Sequence, residues 1–301
     1  MDDKRRAILL RTMRDFSRFC DKAGLGWFMA FGAAIGTVRH KGMIPWDDDI
    51  DVYMPRPDYE RLVAIVNGVA SDSSSLLHNG VIQGDEGSYS VIGPRVSQDY
   101  WPFPYLKFSD NSSTIWEQEK YRCVTGVFVD IFPLDETDGD MARNDELKSH
   151  YHKVFGKYKR SGRYNDITMR NLIPSLLDAV LYRPRAAALK DDFCALDKAM
   201  ASIHGDHYIT WAAISPSRKV CFPKEWAESW TEADFEGFKV RLPIGNDKIL
   251  RSIYGDYMQL PPKYERISNH HQFFADFGKR MSVEEIDAAM KSGMIRKFGD
   301  R

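Results

Sequence analysis

Four carboxylates fall within five residues at Asp47, Asp48, Asp49 and Asp51, and the apolar run Val52-Tyr53-Met54 follows at once. Charge packed so densely is costly unless cations neutralise it. The alternation Asp49, Ile50, Asp51, Val52 has the period of a strand, which turns Asp49 and Asp51 to one face and Ile50 and Val52 to the core. Two neighbouring carboxylates on a rigid strand make an all-oxygen site, suited to Mg²⁺ or Mn²⁺ rather than zinc. An isolated Asp-x-Asp pair is more often the acidic turn that opens a strand, so the surrounding chain has to decide between the two readings.

Upstream, residues 26–31 read as a short apolar strand, Gly32-Ala33-Ala34 as a small-residue turn, and residues 35–39 as the start of a helix. Strand, glycine turn and helix N-terminus together present backbone N–H groups to a phosphate. Arg39, His40 and Lys41 follow directly. Far downstream, residues 127–135 read as a buried strand with Asp130 embedded in it. A buried carboxylate is expensive without a partner, so Asp130 requires a cation or a hydrogen-bond network.

The elements that must position these groups are readable in outline. Residues 5–23 form an amphipathic helix, with Leu9, Met13, Phe16 and Cys20 on one stripe and Arg5, Arg11, Arg14 and Arg18 around it. Such a helix lies on an anionic membrane or, more commonly, packs on the domain core. Gly24 and Gly26 end it. Pro57 opens a helix over 58–69, and 71–75 reads as a loop. Strands are expected at 90–92, 105–108 and 124–132, with a turn at Asp110-Asn111-Ser112-Ser113. Residues 140–214 turn mainly helical. The basic, glycine-broken stretch 153–163 within them is read either as a grip for an anionic acceptor, pyrophosphate or lipid head group, or as a solvated surface loop. A loop and short helix fill 243–258, and Ser282 with Glu285 caps a helix over 283–291.

Composition excludes several classes. With 301 residues, 43% hydrophobic and 28% charged, the chain can bury a sizeable core and is not disordered. A formal net charge of -1 argues against an extended nucleic-acid surface. Cys20, Cys123, Cys194 and Cys221 have neither zinc nor redox spacing. The histidine pairs His204/His207, His150/His152 and His270/His271 lack convincing acidic or thiol partners. The N-terminal apolar run is too short for a signal peptide, and Pro174 and Asp178 interrupt the best membrane-spanning candidate. A cytoplasmic protein is the default expectation, with peripheral contact at the inner face of the membrane left open.

Residues 31–52, from Phe31-Gly32-Ala33 through Arg39-His40-Lys41 and Ile44-Pro45-Trp46 to Asp49-Ile50-Asp51, resemble the signature of the LicD family of phosphotransferases, to which fukutin and fukutin-related protein are similar. Val129-Asp130-Ile131-Phe132-Pro133-Leu134-Asp135 and the stretch from Leu250 through Tyr254-Gly255-Asp256-Tyr257 to Pro262 agree in order. The resemblance runs from about residue 25 to 265 and is weakest through 140–215. It implies an α+β fold of the polymerase-β-like nucleotidyltransferase type. Residues 1–138 would form the catalytic core, a mixed sheet flanked by helices, and 139–301 a mainly helical region completing the same domain on the acceptor side.

The resemblance also implies a site. Gly32 falls at the phosphate-binding turn, Asp49 and Asp51 at the Asp-x-Asp pair and Asp130 at the third carboxylate, so these three are the expected catalytic and metal-binding residues, with Mg²⁺ or Mn²⁺ as cofactor. Ala33 stands where relatives carry a hydroxyl, which leaves backbone N–H contacts to the phosphate. Arg39 and Lys107 would bind substrate by offsetting phosphate charge, while Asp47 and Asp48 shape the turn. The implied reaction moves a phospho-choline or phospho-alditol group from a CDP-linked donor to a hydroxyl of a glycan or lipid-linked glycan, releasing CMP. Two further readings stand beside it: nucleotidyl transfer from CTP or ATP to a small molecule or protein, and a non-catalytic binding subunit.

Overall fold

The computed structural model describes residues 2–97, 100–163, 172–213, 220–267 and 272–294. In chain order the first half holds α1 (Asp3–Ala23), β1 (Phe28–Met29), α2 (Phe31–His40), β2 (Asp51–Pro55), α3 (Arg56–Val66), α4 (Ser73–Leu76), β3 (Ile82–Gln83), β4 (Ser88–Ile92), β5 (Leu106–Asp110), β6 (Thr114–Trp116) and β7 (Phe128–Thr137). The second half holds α5 (Met141–Ser161), α6 (Leu172–Leu177), α7 (Ala186–Met200), β8 (His207–Ile209), β9 (Cys221–Pro223), β10 (Trp230–Phe235), β11 (Phe238–Pro243), α8 (Asn246–Tyr254), β12 (Phe274–Asp276) and α9 (Val283–Lys291).

The fold is α+β, organised on a mixed sheet of order β1-β2-β7-β5-β4-β3. β2 and β7 run parallel, and the other neighbours along that path are antiparallel. β8 pairs with the far end of β7, Asp135 opposite Ile209, and β9 pairs with β8. Strands from the second half thus extend the sheet of the first, and β10 with β11 forms a separate hairpin. Helices dominate the second half up to Met200 and strands share it thereafter.

Helix α1 forms where the apolar period predicts it. Asp2 accepts hydrogen bonds from the Lys4 and Arg5 N–H groups at its head, and Gly24, at φ 64°, closes it in the left-handed conformation. Its stripe is buried against the sheet, where Phe16 meets Trp27 and Phe108 edge-on. Its arginines pair with acids of the same body, Arg5 with Asp48, Arg11 with Asp110 and Arg14 with Glu86. The helix is therefore a core element and not a membrane-facing one.

Several local expectations need correction. Gly32, Ala33 and Ala34 do not form a turn. Helix α2 already starts at Phe31, because the bend is made by Phe31 itself at φ 45° after an extended Ala30. Residues 153–161 of the basic stretch lie on α5, which runs unbroken through Gly156, and Gly162 caps its end, so all but the last two residues of the stretch are helix and not loop. A short helix, α4, occupies part of 71–75, and α3 starts at Arg56 rather than after Pro57. The capping box at Ser282 and Glu285 forms as read. His270 and His271, and parts of 140–214, lie outside the described residues.

One buried ionic knot ties the helical part to the sheet. Arg56 grips Asp135 of β7 at 2.6 and 2.9 Å and also donates to Asp197 of α7 at 3.2 and 3.3 Å. Arg95 binds Glu60 beside them. All three members of the knot are almost wholly buried. Breaking a buried pair leaves a charge without compensation. Arg56→Met is therefore expected to lower unfolding free energy by about 3–5 kcal/mol in urea titrations. Removing the exposed Arg61–Asp72 pair by Arg61→Ala should shift it by only about 0–1 kcal/mol.

Candidate active site

The parallel pairing of β2 with β7 sets Asp51 directly beside Asp130. The antiparallel pairing of β7 with β5 sets Asp130 directly beside Lys107. Residues in register share a face, so Asp51, Asp130 and Lys107 form a row across three adjacent strands. Asp49 lies two residues before Asp51. Asp49, Asp51 and Asp130 all open into one cleft of about 1240 Å³, whose wall includes Gly32, Arg39 and Asp47.

The row is electrostatically tense. Burial, then the neighbouring Asp49 and Asp130, hold the Asp51 carboxyl well above the usual carboxylate range. Burial pushes Asp130 up to about 7; Lys107 pulls it down while Glu117 pushes it up. Burial alone would lower the Lys107 ammonium, but Asp130 and Glu117 reverse this and hold it above its ordinary value. Lys107 Nζ lies 2.7 Å from Asp130 Oδ1, 3.4 Å from Glu117 Oε2 and 3.2 Å from the centre of the Phe128 ring. It is fully buried and does not line the cleft. Its place as a substrate-binding residue is therefore corrected: strand register buries it behind Asp130, where its charge acts on that carboxylate.

At the head of α2 no side chain caps the helix, since Ala30 occupies the capping position. The first intrahelical bond there runs from Ala34 N–H to the Ala30 carbonyl at 3.0 Å, so Phe31, Gly32 and Ala33 carry N–H groups without an intrahelical acceptor. A Cβ on Gly32 would collide with the Asp47 carboxylate, so glycine is what allows that carboxylate to sit against the helix end. Gly32 lines the cleft, whereas Ala33 turns its methyl into the hydrophobic core and can offer the cleft only backbone.

The acidic stretch itself splits into roles. Oxygens of Asp47, Asp48 and Asp49 lie within 4.8 Å of one another. Asp48 is buried and bonded to Arg5 at 2.7 Å, which makes it part of the frame. Asp47, expected only to shape the turn, also lines the cleft and adds to the repulsion on Asp51. Asp47, Asp49, Asp51 and Asp130 are among the carboxylates that line the cleft, with Glu117, Asp256 and Glu265 elsewhere in its wall; oxygen donors of this type fit a hard divalent cation. Among the described residues the histidines join no such group; His204 pairs with Glu136 and His207 with Asp206.

Cationic groups line the cleft as well. Arg39 donates to the Tyr257 carbonyl at 2.6 Å, and burial together with nearby Arg266 lowers its pKa. Arg266 donates to the Pro261 carbonyl at 2.8 Å and stands 5.5 Å over Trp46. Arg5, Arg266 and Glu117 line the cleft without having been singled out from the sequence. The segment 254–262 carries a recognisable motif, but nothing in its residue types places it in the wall of the same cleft as the acidic strand. Arg266 carries no local signal at all.

Residues 24–160 match the family model described as LicD/FKTN/FKRP, nucleotidyltransferase domain. The matched stretch is similar to a LicD-family domain. It contains every carboxylate of the cleft row together with Gly32, Arg39 and Lys107, but neither Arg5 nor Arg266. Over 272 residues the chain is 24% identical to the lipopolysaccharide cholinephosphotransferase LicD of Haemophilus influenzae, covering 88% of this chain and 94% of that protein. Over 103 residues it is 28% identical to the ribitol 5-phosphate transferase FKRP of Homo sapiens, covering 31% of this chain and 21% of that protein.

The tension in the LicD-family row has a direct consequence. Asp51→Asn removes one repelling charge, so melting without divalent cation should stay at or above the wild-type temperature. Mg²⁺ or Mn²⁺ is expected to raise the melting temperature of the wild type and to leave that of the variant unchanged. A cation-induced rise of the same size in Asp51→Asn refutes the metal assignment.

Proposed function

We propose that this protein transfers a phospho-choline or phospho-alditol group from a CDP-linked donor to a glycan hydroxyl, releasing CMP, with Mg²⁺ or Mn²⁺ as cofactor. The observation that carries the reading is the row of carboxylates facing the uncapped head of α2 across one cleft, within the matched LicD-family domain. The activities for which the two relatives are named, transfer of phosphocholine to lipopolysaccharide and of ribitol 5-phosphate, support an enzyme that moves phosphorus-containing groups.

In this reading Asp49 and Asp51 hold the cation, with Asp47 at its side and Asp130 completing the set. The cation, when bound, neutralises diphosphate oxygens and the charge that gathers on them during transfer. The N–H groups at the head of α2 face the donor phosphate, with the positive end of the helix dipole behind them. Arg39 and Arg266 offset the charge of the departing CMP. The acceptor oxygen forms its bond to phosphorus as the bond to CMP breaks, and the hydroxyl proton passes to a carboxylate oxygen of Asp130. Lys107 keeps Asp130 oriented and limits the rise in its pKa. A lipid-linked glycan is the acceptor class that would bring the enzyme to a membrane; among the described residues no helix is long and apolar enough to cross one.

The test offers CDP-choline, CDP-ribitol, CDP-glycerol and CTP separately with Mg²⁺ and follows CMP and pyrophosphate. CMP release from one CDP-linked donor, stimulated by a glycan acceptor, is expected. Asp49→Ala and Asp51→Ala should each lower it by at least about 100-fold, the scale for losing a principal stabiliser of transition-state charge. Pyrophosphate from CTP without CMP from any CDP donor would assign nucleotidyl transfer instead. Turnover in neither assay, with donor binding intact, would assign a binding subunit.

A further inference from the structure

Outside the cleft, α6 and its wider-turned continuation Asp178–Tyr182 carry an apolar surface that nothing in the described chain covers. Leu172, Leu176 and Val180 repeat at i, i+4 and i+8, and Ile173, Leu177 and Leu181 form the adjoining row. All six are exposed, Ile173 by 71%, Leu176 by 61% and Val180 by 63%. The opposite side of the same helical stretch, Ser175 and Asp178, is buried. Soluble surfaces rarely carry so continuous an apolar stripe without a use for it.

Charge completes the pattern. Asp178 is the sole acid between Leu172 and Arg185. It is 1% exposed and turned inward, bonded to Arg160 at 2.7 Å, with Arg163 at 3.7 Å. The outer face of the stretch therefore shows no negative charge. Exposed Arg183 and Arg185 follow it at once, and neither is ion-paired among the described residues. Lys157 of α5 and Arg185 line the same groove of about 500 Å³ as Leu181 and Tyr182, a groove that also holds Asp192. Lys153 and Lys157 are exposed on α5 one turn apart.

We infer that the stretch Leu172–Arg185 is an interfacial anchor that seats the protein on an anionic phospholipid surface, its leucine stripe in the acyl boundary and its arginines, with Lys157, at the head groups. An amphipathic helix with an apolar face and basic flanks lies in the plane of a membrane and does not span it. A second copy of the chain is the competing occupant of such a face, and the sedimentation arm of the test below separates the two. The anchor stands on this surface alone and does not rest on the donor chemistry, so its test needs no turnover.

Flotation of the full chain with vesicles of phosphatidylcholine alone, and of phosphatidylcholine mixed with phosphatidylglycerol, tests it. The wild type should float with the mixed vesicles, poorly with the neutral ones, and less as salt rises. Leu176→Ser/Val180→Ser should lower partitioning by at least about tenfold while leaving the melting temperature unchanged. Arg183→Glu/Arg185→Glu should abolish the preference for anionic vesicles. Absence of flotation, equal binding to both vesicle types, or binding unaltered by both variants overturns the inference. So does a dimer in sedimentation that Leu176→Ser/Val180→Ser dissolves, which would give the stripe to a second copy.

Discussion

Backbone hydrogen bonding, and no attraction of their own, holds Asp51 next to Asp130. Asp130 N–H donates to the Ile50 carbonyl at 3.0 Å, and the parallel ladder of β2 and β7 continues from there. Two carboxylates that would separate in a flexible loop are thereby fixed side by side, and the repulsion is stored in the sheet. The hydrophobic burial around it sustains the strain, since Ile50, Val52, Val129 and Ile131, interleaved with the two acids along the strands, are fully buried. Lys107 compensates Asp130 from the next strand. Preorganisation of this kind is what makes a site bind a cation without rearranging for it.

The acidic strand is braced from outside the matched domain. Arg5 of α1 holds Asp48. The tip of the β10–β11 hairpin holds the loop before it, through Glu236 N–H to the Lys41 carbonyl at 2.9 Å and Met43 N–H to the Glu236 carboxylate at 2.8 Å. Tyr257 and its neighbours hold Arg39. The family-matched residues 24–160 thus supply the chemistry, while segments before and after them fix its geometry.

Local patterns told most of what was local. Helix α1, the alternation of Asp49 and Asp51, the capping box at Ser282 and the embedded Asp130 were all readable because each depends on neighbours a few residues away. Lys107 was found as a charge but misplaced, because its direction follows from which strand pairs with β7, and no short pattern encodes strand order. Phe31 was missed as the true bend because an aromatic residue at positive φ goes against ordinary preference; its ring packs between Tyr53 and Phe132, and that packing sustains the conformation. β8 and β9 are not legible because they are only three residues each and exist by pairing to β7, whereas the stretch 226–242, which reads as loop and strand, holds most of the β10–β11 hairpin.

The parallel contact between β2 and β7 also sets an order of events during synthesis. β2 leaves the ribosome long before β7, and a parallel neighbour cannot be reached by a tight hairpin. Until β7 emerges, the strand that bears Asp51 has only the two-residue β1 to pair with and must keep its apolar face from other chains. Its four early carboxylates repel such encounters. The charge density of the acidic strand thus guards an unfinished sheet against aggregation, a use of the same residues at an earlier moment in the life of the chain.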